Sequence, residues 1–196
     1  MTVEIIKIYK QSNLTAKSNE LLFDIARMLP NIQFTTDEFV KPAINEISIR
    51  IHENIGPQYI LIDSADKQIV LKIINYKSFS SISNKDDLSS YKRSQLVLNN
   101  FTTDLGIKVA EIFMEIFPLD LDANQVANLS VHKDFIYFRF YRFKIGLSSI
   151  KQSKTKTKFV QLGPQLTLRL CRFKEIVDGK EVTKEFKKYV KNRNLL

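Results

Sequence analysis

Much of what enzymes and metal sites are built from is scarce in this chain. Its 196 residues include one cysteine, two histidines and five glycines. Cys171 alone cannot close an intrachain disulfide, which fits a reducing compartment. His52 and His132 lie far apart with no cysteine companions, so zinc-ligand spacing is missing. There is no Gly-rich phosphate loop and no Gly-x-Ser-x-Gly elbow. With so few glycines and histidines, the expectation is a protein without catalytic activity, metal or cofactor. No run of eighteen apolar residues occurs, which excludes a transmembrane helix. The opening MTVEIIKIYK is too short and too interrupted by charge to read as a signal peptide.

Acidic residues are scarce in one place. Residues 1–143 carry 16 Lys/Arg against 17 Asp/Glu, whereas residues 144–196 carry 14 against 4. The whole net charge of +9 therefore sits in the last quarter of the chain. Such a block is the electrostatic footprint of a polyanion binder, because each neutralised phosphate releases counterions. The bland alternative is a solvated lysine surface. What is plentiful is apolar material, 44% of residues, with 11% aromatic, as in a globular protein. The length suits one sizeable core or two small halves.

Residues 3–9 are dominated by β-branched side chains and read as a short buried strand. Leu14, Ser18, Leu21, Leu22, Ile25, Ala26 and Leu29 then recur at spacings of three and four. They predict an amphipathic helix stopped at Pro30 and Asn31. Lys10 and Lys17 fall at or near its N-terminus, where N–H groups and the dipole favour anions. Residues 31–39 read as irregular. Pro42 suits a first helical turn, and Ile44, Ile47, Ile51 and Ile55 keep to one face of a second helix ending at Gly56-Pro57. Residues 59–63 and 68–76 predict a hairpin. Residues 78–94 are polar without an apolar period and read as a connector.

The pattern then restarts with a strand at 95–101. A helix follows, capped by Asp104, carrying Leu105, Val109, Ile112, Phe113 and Ile116, and ended by Pro118. A short strand is expected at 126–131, a long one at 135–145, and a Ser/Lys loop at 146–158. Phe159, Val160 and Leu162 lead to a bend at Gly163-Pro164. Beyond it Leu166, Leu168 and Leu170 alternate with Thr167, Arg169 and Cys171 as a half-buried strand. The expected fold is α/β, one domain of two pseudo-repeated strand-helix-strand-strand halves. These are residues 1–77 and 95–177, with a basic tail at 178–196.

Three stretches could touch a polyanion. The strand at 135–145 interleaves Tyr, Phe, Arg and Lys, as RNA-binding sheets do. Its Phe residues fit a buried central strand better, which leaves Arg142 and Lys144 at its end for RNA. The loop holding Lys151, Lys154, Lys156 and Lys158 has no apolar residue from 151 to 158 and suits phosphate contact without base preference. The tail offers Lys184, Lys187, Lys188, Lys191 and Arg193, while its Phe186, Tyr189 and Val190 could equally face a protein. Asp63 and Asp66 flank the hairpin turn and could hold Mg²⁺ in an RNA-processing enzyme, but turn chemistry accounts for them.

The wording of several segments resembles the Brix family. The stretch LGPQLTLRL is similar to the family's Leu-Gly-Pro-Arg signature and following strand, with Gln165 in place of Arg. Leu96, Val97, Leu98, Asn99, Asn100 and Phe101, with Phe117-Pro118 closing the next helix, resemble the Peter Pan-like branch. Phe138, Arg139, Tyr141 and Arg142 match the family's aromatic-basic strand, with Phe140 where His is usual. The first half matches in its strand-helix opening and Gly56-Pro57, and lacks the usual Gly-Pro-Thr before residues 68–76. The resemblance implies a non-enzymatic ribosome-assembly factor of the nucleolus. It would bind precursor rRNA of the large subunit beside pre-ribosomal proteins and a small dedicated protein partner, with no membrane and no small-molecule substrate. It also implies a chain reduced to the domain, without the branch's long charged extension. A factor of the small-subunit precursor and a protein-interaction scaffold are the competing readings.

Overall fold

A computed structural model describes residues 3–53, 56–82, 94–117, 120, 122–147 and 155–186, with backbone alone at 144–147 and 155–156. The first half comprises β1 (Ile5–Tyr9), α1 (Ala16–Ala26), β2 (Ile32–Thr35), β3 (Glu46–Glu53), β4 (Pro57–Asp63) and β5 (Lys67–Lys77). The second comprises β6 (Ser94–Asn99), α2 (Asp104–Ile116), β7 (Gln125–His132), β8 (Phe135–Leu147), β9 (Thr155–Val177) and β10 (Lys180–Glu185). All strands join one sheet in the order β2-β1-β3-β4-β5-β9-β8-β7-β6, with β10 on β9.

The expected α/β duplication is present, with β2 and β3 added to the strands expected in the first half and β10 to those expected in the second. In the first unit β1 pairs parallel with β3, then β4 and β5 follow antiparallel. In the second, β6 pairs parallel with β7, then β8 and β9 follow antiparallel. The fourth strands, β5 and β9, pair antiparallel in the middle. Each helix opens on a threonine cap: Thr15 Oγ1 accepts from Ser18 N at 3.4 Å, and Thr103 Oγ1 from Gly106 N at 3.0 Å. Thr103, not Asp104, therefore caps α2. A capping hydroxyl satisfies an otherwise orphaned helix N–H.

The helix expected between Pro42 and Ile55 is strand β3. Ile47, Ile49 and Ile51 are all buried and alternate with Ser48, Arg50 and His52. Successive β-branched residues at period two outweigh the looser three-and-four spacing that also includes Ile44. Likewise, part of the expected irregular stretch is β2, paired parallel with β1.

Both helices lie on one face of the sheet. Leu21, Leu22 and Ile25 of α1, and Val109, Ile112, Phe113 and Ile116 of α2, share a single core with inward residues of the central strands. Across the strands that core runs in register, as Ile8, Ile49, Ile62, Ile69 and Phe173. The opposite face bears no helix among the described residues.

Gly163-Pro164 does not bend the chain out of a strand. Strand β9 runs through the pair, whose peptide bond is cis. Across from it, Arg139 pairs with Gln165 and Tyr141 with Gln161, so Phe140 alone spans residues 162–164. This is a bulge, and β5 stops beside it at Lys77, opposite Gln165. Arg139 Nη1 donates to the carbonyls of Phe138 at 2.7 Å and Leu166 at 2.9 Å, satisfying backbone groups that flank the bulge. The chain leaving β5 folds over Gly163. It is pinned by buried Asp24 of α1, which accepts from Tyr76 Oη at 2.7 Å and Phe79 N at 2.8 Å. Burial pushes the Asp24 carboxyl above its ordinary range, against these two donors.

Gly163 has φ +79°, and a Cβ there would run into Ile82 Cδ1 and lie 3.3 Å from Phe79 Cα. Gly163→Ala is expected to cost about 2–4 kcal/mol, from left-handed strain plus the collision. Urea unfolding measures it. Adding Ile82→Ala should recover less than half, because the backbone angle and the Phe79 contact remain.

Candidate nucleic-acid interface

β7 reaches β8 only as far as Arg142, and β5 reaches β9 only as far as Gln165. Beyond these points β8 and β9 have only each other among the described strands, and they form a two-stranded ribbon down to the pair Leu147 and Thr155. The loop expected at 146–158 is thus partly strand, since Lys156 and Lys158 belong to β9. Register places Lys144 opposite Lys158 and Gly146 opposite Lys156. By the two-residue alternation, positions 142, 144, 156 and 158 share one face of the ribbon. Like charges directly opposite in a sheet cost stability, and a bound anion offsets that cost. The other face carries Phe143 opposite Phe159, rings 6.5 Å apart, with Phe159 62% exposed.

The remaining expected contacts divide between the two ends of the sheet. Lys10 and Lys17 are exposed where β1 leads into α1, at the same sheet end as the ribbon. Lys10 Nζ sits 5.5 Å from the centre of the Phe23 ring. The anion at the α1 N-terminus is the chain's own: both Glu53 carboxylate oxygens lie 3.1 Å from Thr15 N. The Ser18 hydroxyl and the Thr15 N–H hold the Glu53 carboxyl below its ordinary range. Lys184 is exposed at the opposite end, in β10. The tail thus begins as a strand. Lys151, Lys154, Lys187, Lys188, Lys191 and Arg193 lie outside the described residues.

Three of the four carboxylates of the basic block are spent on cations of the chain itself. Glu185 meets Arg172 at 2.8 Å, Glu181 meets Lys174 at 2.8 Å, and Glu175 meets Lys108 at 2.5 Å. In the strand at 135–145, Phe138 and Phe140 are buried, as expected for a central strand, and Arg142 is half-buried. Sequence reading did not single out Lys72 and Arg169, which stand directly opposite each other on the helix-free face.

Asp63 is not placed as a metal ligand would be. It is buried and accepts from Arg50 Nη2 at 2.8 Å, Ser48 Oγ at 3.4 Å and Gln68 Nε2. Asp66 is exposed and takes the Ser64 hydroxyl at 3.2 Å, as turn chemistry expects.

The Brix domain family model matches residues 7–172. The chain belongs to the Brix family. It is 28% identical over 207 residues to ribosome production factor 1 of Saccharomyces cerevisiae, covering 93% of this chain and 68% of that protein. To ribosome production factor 1 of Danio rerio it is 38% identical over 78 residues, which are 39% of this chain and 22% of that protein. A crystal structure of a probable ribosomal biogenesis protein from Aeropyrum pernix K1 superposes with a TM-score of 0.54 at 11% identity. It covers 85% of this chain and 95% of its own. That likeness establishes the shared fold.

In this Brix domain Asp63→Asn leaves the half-buried Arg50 guanidinium without its carboxylate. The expected cost is about 2 kcal/mol in urea unfolding. If the residue served a metal-dependent nuclease instead, the substitution would remove RNA cleavage at little cost in stability.

Proposed function

We propose that this Brix protein is a non-enzymatic assembly factor that binds precursor ribosomal RNA of the large subunit, within pre-ribosomal particles of the nucleolus. The observation that carries the reading is the β8–β9 ribbon. It extends past its neighbours with Arg142, Lys144, Lys156 and Lys158 at positions on one face, in the part of the chain that holds the net positive charge. A projecting basic ribbon contacts phosphates without reading bases. Lys10 and Lys17 at the same sheet end, Lys151 and Lys154 in the sequence that joins β8 to β9, and Lys184 to Arg193 add further phosphate contacts. Family membership and relatives named ribosome production factor support the setting. On this reading a small dedicated protein partner binds beside the RNA.

A scaffold reading has one observation in its favour. β2 and β6 are open sheet edges among the described strands, and an extended segment of a partner could add to either.

Crosslinking in the native cells followed by sequencing of attached RNA tests the setting. Large-subunit precursor reads concentrated in one region are expected. Small-subunit precursor reads would move the protein to the other particle, and scattered reads would favour the scaffold. In vitro, log affinity for RNA should fall steeply with log salt. Lys156→Glu with Lys158→Glu should shallow that slope by about one unit per lost contact. An unchanged slope removes the ribbon from the interface.

A further inference from the structure

The helix-free face holds a row that crosses the junction between the two halves. Register aligns His52 with Tyr59, Tyr59 with Lys72, Lys72 with Arg169, Arg169 with Phe135, and Phe135 with His132. The row spans six strands, about 24 Å at ~4.8 Å per strand. It reads the same from either end: imidazole, aromatic ring, cation, cation, aromatic ring, imidazole. The duplication accounts for this symmetry, since β3, β4 and β5 stand in the first unit where β7, β8 and β9 stand in the second. All six positions fall on the face away from α1 and α2, because their strand neighbours Ile51, Ile60, Leu71, Leu168, Ile136 and Val131 belong to or pack on the core.

The two central cations are the anomaly. Lys72 and Arg169 are directly opposed, an arrangement that costs stability. Other cations of this face are engaged: Arg50 has Asp63, Arg172 has Glu185, Lys174 has Glu181, and Arg139 donates to the carbonyls of Phe138 and Leu166. Among the described residues, Lys72 and Arg169 are in no ion pair, and both keep partial exposure. Tyr59 and Phe135 flank them, also half-exposed, and His52 lies 6.1 Å from the Tyr59 ring. Cations without a counter-charge, bracketed by aromatic rings on an open sheet, match the chemistry of an unpaired nucleic-acid strand. Its phosphates need the charge and its free base faces need the rings. A duplex keeps its bases stacked inside and offers nothing to Tyr59 or Phe135.

We propose that this row is a single-stranded RNA site, in which Lys72 and Arg169 hold one phosphate between them while Tyr59 and Phe135 stack the bases on either side. The proposal rests on the RNA-binding reading and adds a second surface, distinct from the ribbon, that discriminates single strands from duplex.

The test is fluorescence anisotropy of the 196-residue chain with a labelled 12-nucleotide oligouridine and a 12-base-pair RNA duplex. Tyr59→Ala with Phe135→Ala should weaken oligouridine binding roughly tenfold or more per ring, with duplex binding held within about twofold. Lys72→Gln with Arg169→Gln should shallow the oligouridine salt slope by about 0.7, the value for one phosphate. Where thermal melting shows that the alanine variant is unfolded, Tyr59→Leu with Phe135→Leu keeps the bulk and is read in its place. Equal losses for both probes, or none, would overturn the proposal. So would binding of poly-glutamate as tight as that of oligouridine and lost with the same variants, which would make the row an acidic-peptide site. A wild-type chain that binds neither RNA removes the RNA reading itself. Binding abolished by Lys156→Glu with Lys158→Glu but indifferent to the row variants removes the row alone.

Discussion

The pairing of β5 with β9 is the contact on which the rest of the molecule depends. Each half, as a β-α-β-β-β unit, ends on an unpaired strand edge, and an exposed edge is a liability. Joining the two last strands antiparallel closes both edges at once and lets two small cores fuse into one. The ladder runs from Lys67 opposite Glu175 to Lys77 opposite Gln165. No disulfide assists it, since Cys171 is the sole cysteine. The core residues Ile69, Leu71 and Ile73 of one half meet Phe173, Leu170 and Leu168 of the other along this seam, so inter-half burial and inter-half hydrogen bonding coincide.

That seam also explains where charge can act. Both helices cover one face, so every cation from the sheet's alternate positions is delivered to the other face or to the ends. Ion pairs at half-exposed sites contribute little to stability, so Arg172 with Glu185 and Lys174 with Glu181 matter more for what they silence than for what they hold. They remove two cations from the open face and leave the charge concentrated at the seam's centre and on the ribbon.

Several elements were legible in the sequence because local pattern and final environment agree. The two helices, the β4–β5 hairpin, and β6 through β8 follow from apolar spacing and turn residues. β3 is ambiguous in the sequence because Ile44, Ile47, Ile51 and Ile55 also satisfy a helical spacing, although the unbroken alternation Ile47, Ile49, Ile51 marks a strand. β10 carried no such signal: its six residues are all exposed, and its strand character comes only from the ladder to β9. The lysines of the ribbon stand out in the sequence as a group, but their common face follows only from the register of β8 on β9. The row from His52 to His132 was invisible in the same way, because it exists only once strands from both halves are aligned.

Strand β9 shows how backbone irregularity sorts these charges. At Gly163-Pro164 two extra residues face Phe140, and two is the period of the strand, so Leu162 and Leu166 stay on the core side. At Cys171 a single extra residue enters, because Val70 pairs with Arg172 while Leu71 pairs with Leu170. One residue reverses the faces: the core positions pass from Leu166, Leu168 and Leu170 to Phe173, and the outward ones from Arg169 to Arg172 and Lys174. The alternation visible in the sequence therefore ends at Leu170 for a physical reason. The bulge gathers all three cations on the helix-free face, and β10 then reaches only two of them, because its last pair is Glu185 with Arg172. Arg169 lies one step beyond that strand. The length of the fully exposed strand β10 thus determines which arginine keeps its charge open beside Lys72.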